Sequence, residues 1–104
     1  MIFLIKDNFK KQINDLSKKF TLINNDFQNF KDTFSINNGK HLWKWIYKFR
    51  MKNSSIKSWK SWWFRIILLA KIEENKIMPF IIYSKTEKEN IVLSEIIQEL
   101  RKYI

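Results

Sequence analysis

Lys57-Ser58-Trp59-Lys60-Ser61-Trp62-Trp63-Phe64-Arg65, running into Ile66-Ile67-Leu68-Leu69-Ala70, is the stretch whose reading decides the fold. The apolar run at its end is far shorter than the ~20 residues of a membrane span. It reads instead as a strand buried on both faces. A buried strand is a rigid mount. Arg65 stands at its entrance, with Lys57 and Lys60 just ahead, and cations in that position suit a phosphate. The turn before the strand is chemically odd. Three tryptophans stand where turns ordinarily use Gly, Asn, Asp or Ser.

Toward the N-terminus, Trp43 to Met51 alternates. Trp43, Trp45, Tyr47, Phe49 and Met51 fall on one side, and Lys44, Ile46, Lys48 and Arg50 on the other. This predicts one strand with an apolar face and a largely cationic face. Asn37-Asn38-Gly39 ahead of it is a turn signal, and Asn53 to Ser61 after it a polar loop. Earlier still, Met1 to Ile5 reads as a short buried strand. From Asp7 the period changes to helical. Phe9, Ile13, Leu16 and Phe20 form one stripe, and Ile23, Phe27, Phe30 and Phe34 form a second from about Thr21. These stripes are read as core, so the two helices make a hairpin laid on a sheet.

Toward the C-terminus, Trp63 to Glu73 is a strand, Glu74-Asn75 a hairpin turn and Lys76 to Ser84 the last strand. Pro79 lies inside that strand, which predicts an edge position or a bulge there. Thr86 and Glu89 have capping-box spacing, with Ser94 as the alternative N-cap. Val92, Ile96, Ile97, Leu100 and Ile104 give a closing helix. The expected order is strand, helix, helix, three strands in an antiparallel meander, helix. Residues 1–104 read as a single α+β domain.

Composition narrows the function. Twenty Lys/Arg against ten Asp/Glu give a net charge of +10, which favours an anionic partner such as nucleic acid, the ribosome, an anionic membrane or an acidic protein. The chain has no cysteine, so disulfides, thiol catalysis and thiolate metal sites are excluded. Met1 to Ile5 has no cation before it and is ended by Lys6-Asp7, unlike a secretory signal. A cytoplasmic protein is expected.

His41 is the one histidine and reads as a surface residue beside a turn. No His/Asp/Glu set has metal-ligand spacing, and the chain has no P-loop, dinucleotide fingerprint or nucleophile elbow. What remains is a set of cations on adjacent strands: Lys48 and Arg50 two apart on one strand face, Lys57 and Lys60 on the loop, Arg65 entering the next strand, Tyr83 and Lys85 closing the last. Like charges on one face of neighbouring strands repel unless an anion joins them. Such a set can drive RNA cleavage. The 2′-hydroxyl attacks the adjacent phosphate, and Arg and Lys stabilise the phosphorane charge. A lysine crowded by cations has a lowered pKa and can act as base.

Three segments resemble a known family. Tyr47-Lys48-Phe49-Arg50, then Lys60-Ser61-Trp62-Trp63-Phe64-Arg65-Ile66-Ile67, then Ile82-Tyr83-Ser84-Lys85-Thr86-Glu87 are similar to motifs of the RelE/HigB toxins of type II toxin–antitoxin systems. Phe9-Lys10-Lys11 with Leu16-Ser17-Lys18-Lys19 matches the family's first helix, and Asp26 its second. The resemblance implies a RelE-like fold: an N-terminal strand and two-helix hairpin on an antiparallel sheet of about four strands, with a C-terminal helix. It implies a ribosome-dependent, metal-independent mRNA endonuclease working in the ribosomal A site, and a neutralising antitoxin, helix-turn-helix or acidic, encoded next to it. No cofactor is implied. Carried over, Lys48, Arg50, Arg65 and Lys85 are the catalytic set, with Arg65 stabilising the transition state. Lys57 and Lys60 grip RNA, and Tyr83 stacks a base.

The chain departs from the family at its tryptophans. Trp43, Trp45, Trp59, Trp62 and Trp63 stand where family members carry or accept glycine, and the chain has one glycine where about 7% is usual. One reading is that the source reads UGA as glycine. The other is genuine aromatic substitution, with indoles that stack bases. A non-catalytic toxin or RNA-binding module on the same fold, such as the gyrase-inhibiting ParE type, is expected to lack much of the cationic set. A membrane-interface segment would need Trp and Lys at helical period, whereas Lys44 and Lys48 follow strand period.

Overall fold

The computed structural model describes residues 1–56, 63–85, 87–88 and 90–103. Its elements, in chain order, are β1 (Ile2–Phe3), α1 (Asp7–Ser17), α2 (Ile23–Asp32), β2 (Lys40–Trp43), β3 (Ile46–Met51), β4 (Phe64–Lys71), β5 (Lys76–Ser84) and α3 (Leu93–Leu100). The architecture is α+β. The sheet has five strands in the order β1-β5-β4-β3-β2, one more than the resemblance implies. It is mixed, because β1 runs parallel to β5 while the other pairs are antiparallel.

The extra strand comes from a misread alternation. Trp43 to Met51 is not one strand but the close of β2, a turn and β3. Lys44 takes the left-handed backbone conformation, φ 47°, and reverses the chain. Trp43 and Trp45 flank that turn at 41% and 59% exposure, so the apolar face predicted for them does not exist. From Tyr47 on the alternation holds. Phe49 and Met51 are buried, and Lys48 and Arg50 lie on the other face.

Strand β4 is central, paired by β3 on one side and β5 on the other. Ile66, Ile67, Leu68 and Ala70 have no exposed surface, as the uninterrupted apolar run requires. Helices α1 and α2 lay their stripes on one face of the sheet. Phe9 and Ile13 come from α1, Ile23 and Phe27 from α2, and all four are buried with Phe49, Phe64 and Ile66. Phe20 and Phe34 lie just past their helices and still pack inward, Phe20 edge-on to Phe64 at 5.2 Å and Phe34 against Phe49 at 5.0 Å.

Strand β1 is only two residues long, and Ile2 and Leu4 are exposed, so the expected buried strand from Met1 to Ile5 shrinks to a short edge. Beyond it, α1 closes the flank of β5. Gln12 accepts a hydrogen bond from the Ile82 N–H at 3.0 Å and donates to the Phe80 carbonyl at 2.9 Å. It also donates to the Tyr103 hydroxyl, which in turn donates to Phe80. One side chain thus joins α1, β5 and the end of the chain. Pro79 sits where the β4–β5 register slips, which is the expected bulge, in an inner strand. Helix α3 starts at Leu93 with Val92 at its N-cap and no side-chain cap. Ser94 is therefore inside the helix, and Thr86 and Glu89 lie outside the described residues. Among the described residues no helix is long and apolar enough to cross a membrane.

Candidate RNA-binding cleft

Cross-strand register assembles the site. Arg50 on β3 is paired with Arg65 on β4, and Arg65 with Tyr83 on β5. Directly paired residues stand about 5 Å apart at Cα and project to the same face. Lys48, two residues before Arg50, shares that face and is paired with Lys40 on β2. Lys40, Lys48, Arg50, Arg65 and Lys85 all line one open cleft of about 360 Å³, with Phe49 and Gly39 completing its wall. Four of these cations were read from the sequence. Lys40 is not among them, because it falls between the Asn37-Asn38-Gly39 turn signal and the strand expected from Trp43, whereas β2 begins at Lys40 itself. Lys57 and Lys60 lie outside the described residues.

The cleft is cationic. No carboxylate among the described residues forms an ion pair with any of the five; the pairs that form use Lys19, Lys71, Lys76, Lys88 and Lys102. The effect on proton affinity is direct. Burial, then Lys40, Arg65 and Lys85, push the Lys48 ammonium below its usual pKa. Burial and the neighbouring Arg50 lower Arg65, which Tyr83 partly offsets. Burial raises the Tyr83 phenol, and Arg65 opposes that.

Tyr83 is only 8% exposed, so its ring is part of the sheet wall and not the open stacking platform expected of it. An aromatic surface is present elsewhere. The Arg50 guanidinium lies over the Trp63 indole, 5.7 Å from the ring centroid. Trp63 also holds the strand mouth: its carbonyl accepts the Lys85 N–H at 3.4 Å. Trp43, Trp45 and Trp63 all have negative φ, since only Lys44 and Asn75 are positive among the described non-glycine residues. None of these three positions demands glycine. Trp59 and Trp62 lie outside the described residues.

Gly39 is needed for a different reason from the turn expected of it. Its backbone is extended, φ −97° and ψ 161°. A Cβ there would collide with the Phe49 ring, so glycine lets the backbone lie against the ring between the cleft and the core. Asp26, 8% exposed, accepts the Ser54 N–H at 2.8 Å. It pins the chain leaving β3 to α2, a structural task the sequence did not reveal. His41 is exposed on β2, bonded to the Lys44 carbonyl and lying against Tyr47. No group of three or more His, Asp or Glu that could hold a metal ion forms among the described residues. No protein-family model, curated protein or solved structure matches this chain.

Proposed function

We propose that this chain is a RelE/HigB-like toxin that cleaves mRNA on the ribosome. The observation that carries the reading is the gathering of Lys40, Lys48, Arg50, Arg65 and Lys85 around one cleft, with no carboxylate among the described residues paired to them. Five cations facing one another raise the energy of the empty site, and a phosphodiester relieves it. Lys48 is the best base of the set, because burial and then its cationic neighbours favour its neutral form and a neutral amine can take the 2′-hydroxyl proton. The 2′-oxygen then attacks the adjacent phosphorus. Charge builds on the non-bridging oxygens, and Arg65, with Arg50 beside it, stabilises that charge. The P–O5′ bond breaks. Lys85 or Lys40 supplies the proton to the leaving oxygen. The products are a 2′,3′-cyclic phosphate and a 5′-hydroxyl end.

An overall +10 charge suits both the ribosome and an acidic antitoxin that silences the cleft. The alternative, a non-catalytic toxin of the ParE type on this fold, has no use for a crowded lysine. A translating cell-free reaction separates the two. The wild-type chain is expected to cut mRNA only while it is translated. Arg65→Ala should lose about 10²–10³ of that rate with an unchanged circular dichroism spectrum. Uncut mRNA with the wild-type chain would defeat the nuclease reading.

A further inference from the structure

A second cleft, of about 330 Å³, opens beside the first, between the end of α2 and β3. The two share Arg50, Phe49 and Asn38, so they adjoin. Phe30, Phe34 and Phe49 form its apolar side. Their rings contact one another at 5.7 Å, 5.0 Å and 5.7 Å between centroids, which fixes them as a rigid surface. Trp63 lines the same cleft with Arg50 over its indole. The rim is polar. The Thr33 hydroxyl is bonded to the Asn29 carbonyl. The side chains of Ser35 and Asn38 have no hydrogen-bond partner among the described residues.

We infer that this second cleft seats the nucleobase next to the phosphate held by the cations, an inference that rests on the RNA-cleaving reading above. A base fits its chemistry. Flat aromatic and guanidinium surfaces stack any base, and Ser35 and Asn38 are free to meet the donors and acceptors on its edge. An apolar side chain of a protein partner would leave those polar groups and Arg50 without partners. Arg50 then has two tasks, bounding the phosphate cleft on one side and the base cleft on the other. Trp63 is a base-binding residue here, which gives a role to one of the tryptophans that separate this chain from the family's glycine pattern.

The test uses the full chain and a tetranucleotide of 2′-O-methyl RNA, whose blocked 2′-oxygens prevent cleavage, together with four versions each lacking one base. Binding is measured by calorimetry. Loss of one particular base should weaken binding about tenfold, while loss of the others has little effect. Trp63→Ala should bring the parent down to the level of that one abasic form and remove the difference between them. Trp63→Phe should restore both. Arg65→Gln should weaken all five oligonucleotides alike. Equal binding of all five to the wild-type chain, or no binding of the parent, overturns the base seat. If the five bind equally but Arg65→Gln weakens them all, the phosphate reading survives without the seat. If Arg65→Gln binds all five as the wild type does, the phosphate reading falls, and the seat with it.

Discussion

At the scale of single residues, Lys48 ties stability to activity. Its folded pKa lies below the ordinary 10.5 of a lysine. Between those two values the unfolded chain binds the extra proton, so stability rises with pH across that window. Below the window the folded chain carries a charged Lys48 against Lys40, Arg65 and Lys85. Lys48→Met removes that repulsion and should raise the melting midpoint at neutral pH. The rise should be a few degrees at most, because partly exposed charges contribute on the order of 1 kcal/mol or less. The same variant should stop cutting mRNA. Melting curves between neutral pH and pH 10 check the first half: a lower midpoint at neutral pH would contradict it. Lys40 acts on the same amine from the next strand. Lys40→Ala should let the Lys48 pKa climb, so the rising limb of the rate–pH profile should move to higher pH. An unmoved limb would mean that Lys48 is not the titrating base. Gly39 is the third such residue. Gly39→Ala drives a methyl group into the Phe49 ring, which is held by Phe30 and Phe34. Overpacking of that kind costs about 1–3 kcal/mol, measurable as a lower urea midpoint, and it disturbs the wall that both clefts share.

At the scale of elements, the flank of β5 shows how a side chain replaces a strand. Strand β1 pairs only as far as Ile77, and Gln12 takes over at Phe80 and Ile82. Gln12→Leu should leave the Ile82 N–H unpaired, at about 1–3 kcal/mol, while the Phe80 carbonyl keeps the Tyr103 hydroxyl. Hydrogen exchange should quicken at the Ile82 amide while β3 keeps its protection; uniform quickening would mean that the flank is not a local latch. Much of this arrangement was legible in the chain. The stripes at Phe9, Ile13, Ile23 and Phe27 gave the two helices, and the unbroken run from Ile66 gave the central strand. Pro79 marked the bulge. The β2–β3 hairpin was hidden because Trp43 and Trp45 keep strand alternation straight through a turn that Lys44 makes in a left-handed conformation, with no glycine to announce it. That error also concealed Lys40 as a member of the cleft. The meander put Arg50 and Arg65 on neighbouring strands, but their direct pairing depends on a register that no local pattern reports. The aromatic cleft was hidden likewise, because it joins the end of α2 to β3, two distant segments.

At the scale of the whole molecule, a helical layer on one face of the sheet leaves the mouth of three strands on the other free to carry charge. The fold supplies the rigidity, and the cleft concentrates part of the net +10 at one point. In the proposed mechanism a phosphodiester is broken there by its own 2′-hydroxyl. The direct measurement is the chemistry of the ends left on a reporter mRNA after a translating reaction with the wild-type chain. The predicted ends are a 2′,3′-cyclic phosphate upstream and a 5′-hydroxyl downstream, and a single 2′-deoxynucleotide at the cut should block cleavage at that bond. A 3′-hydroxyl with a 5′-phosphate, or continued cutting at the deoxy position, would contradict it.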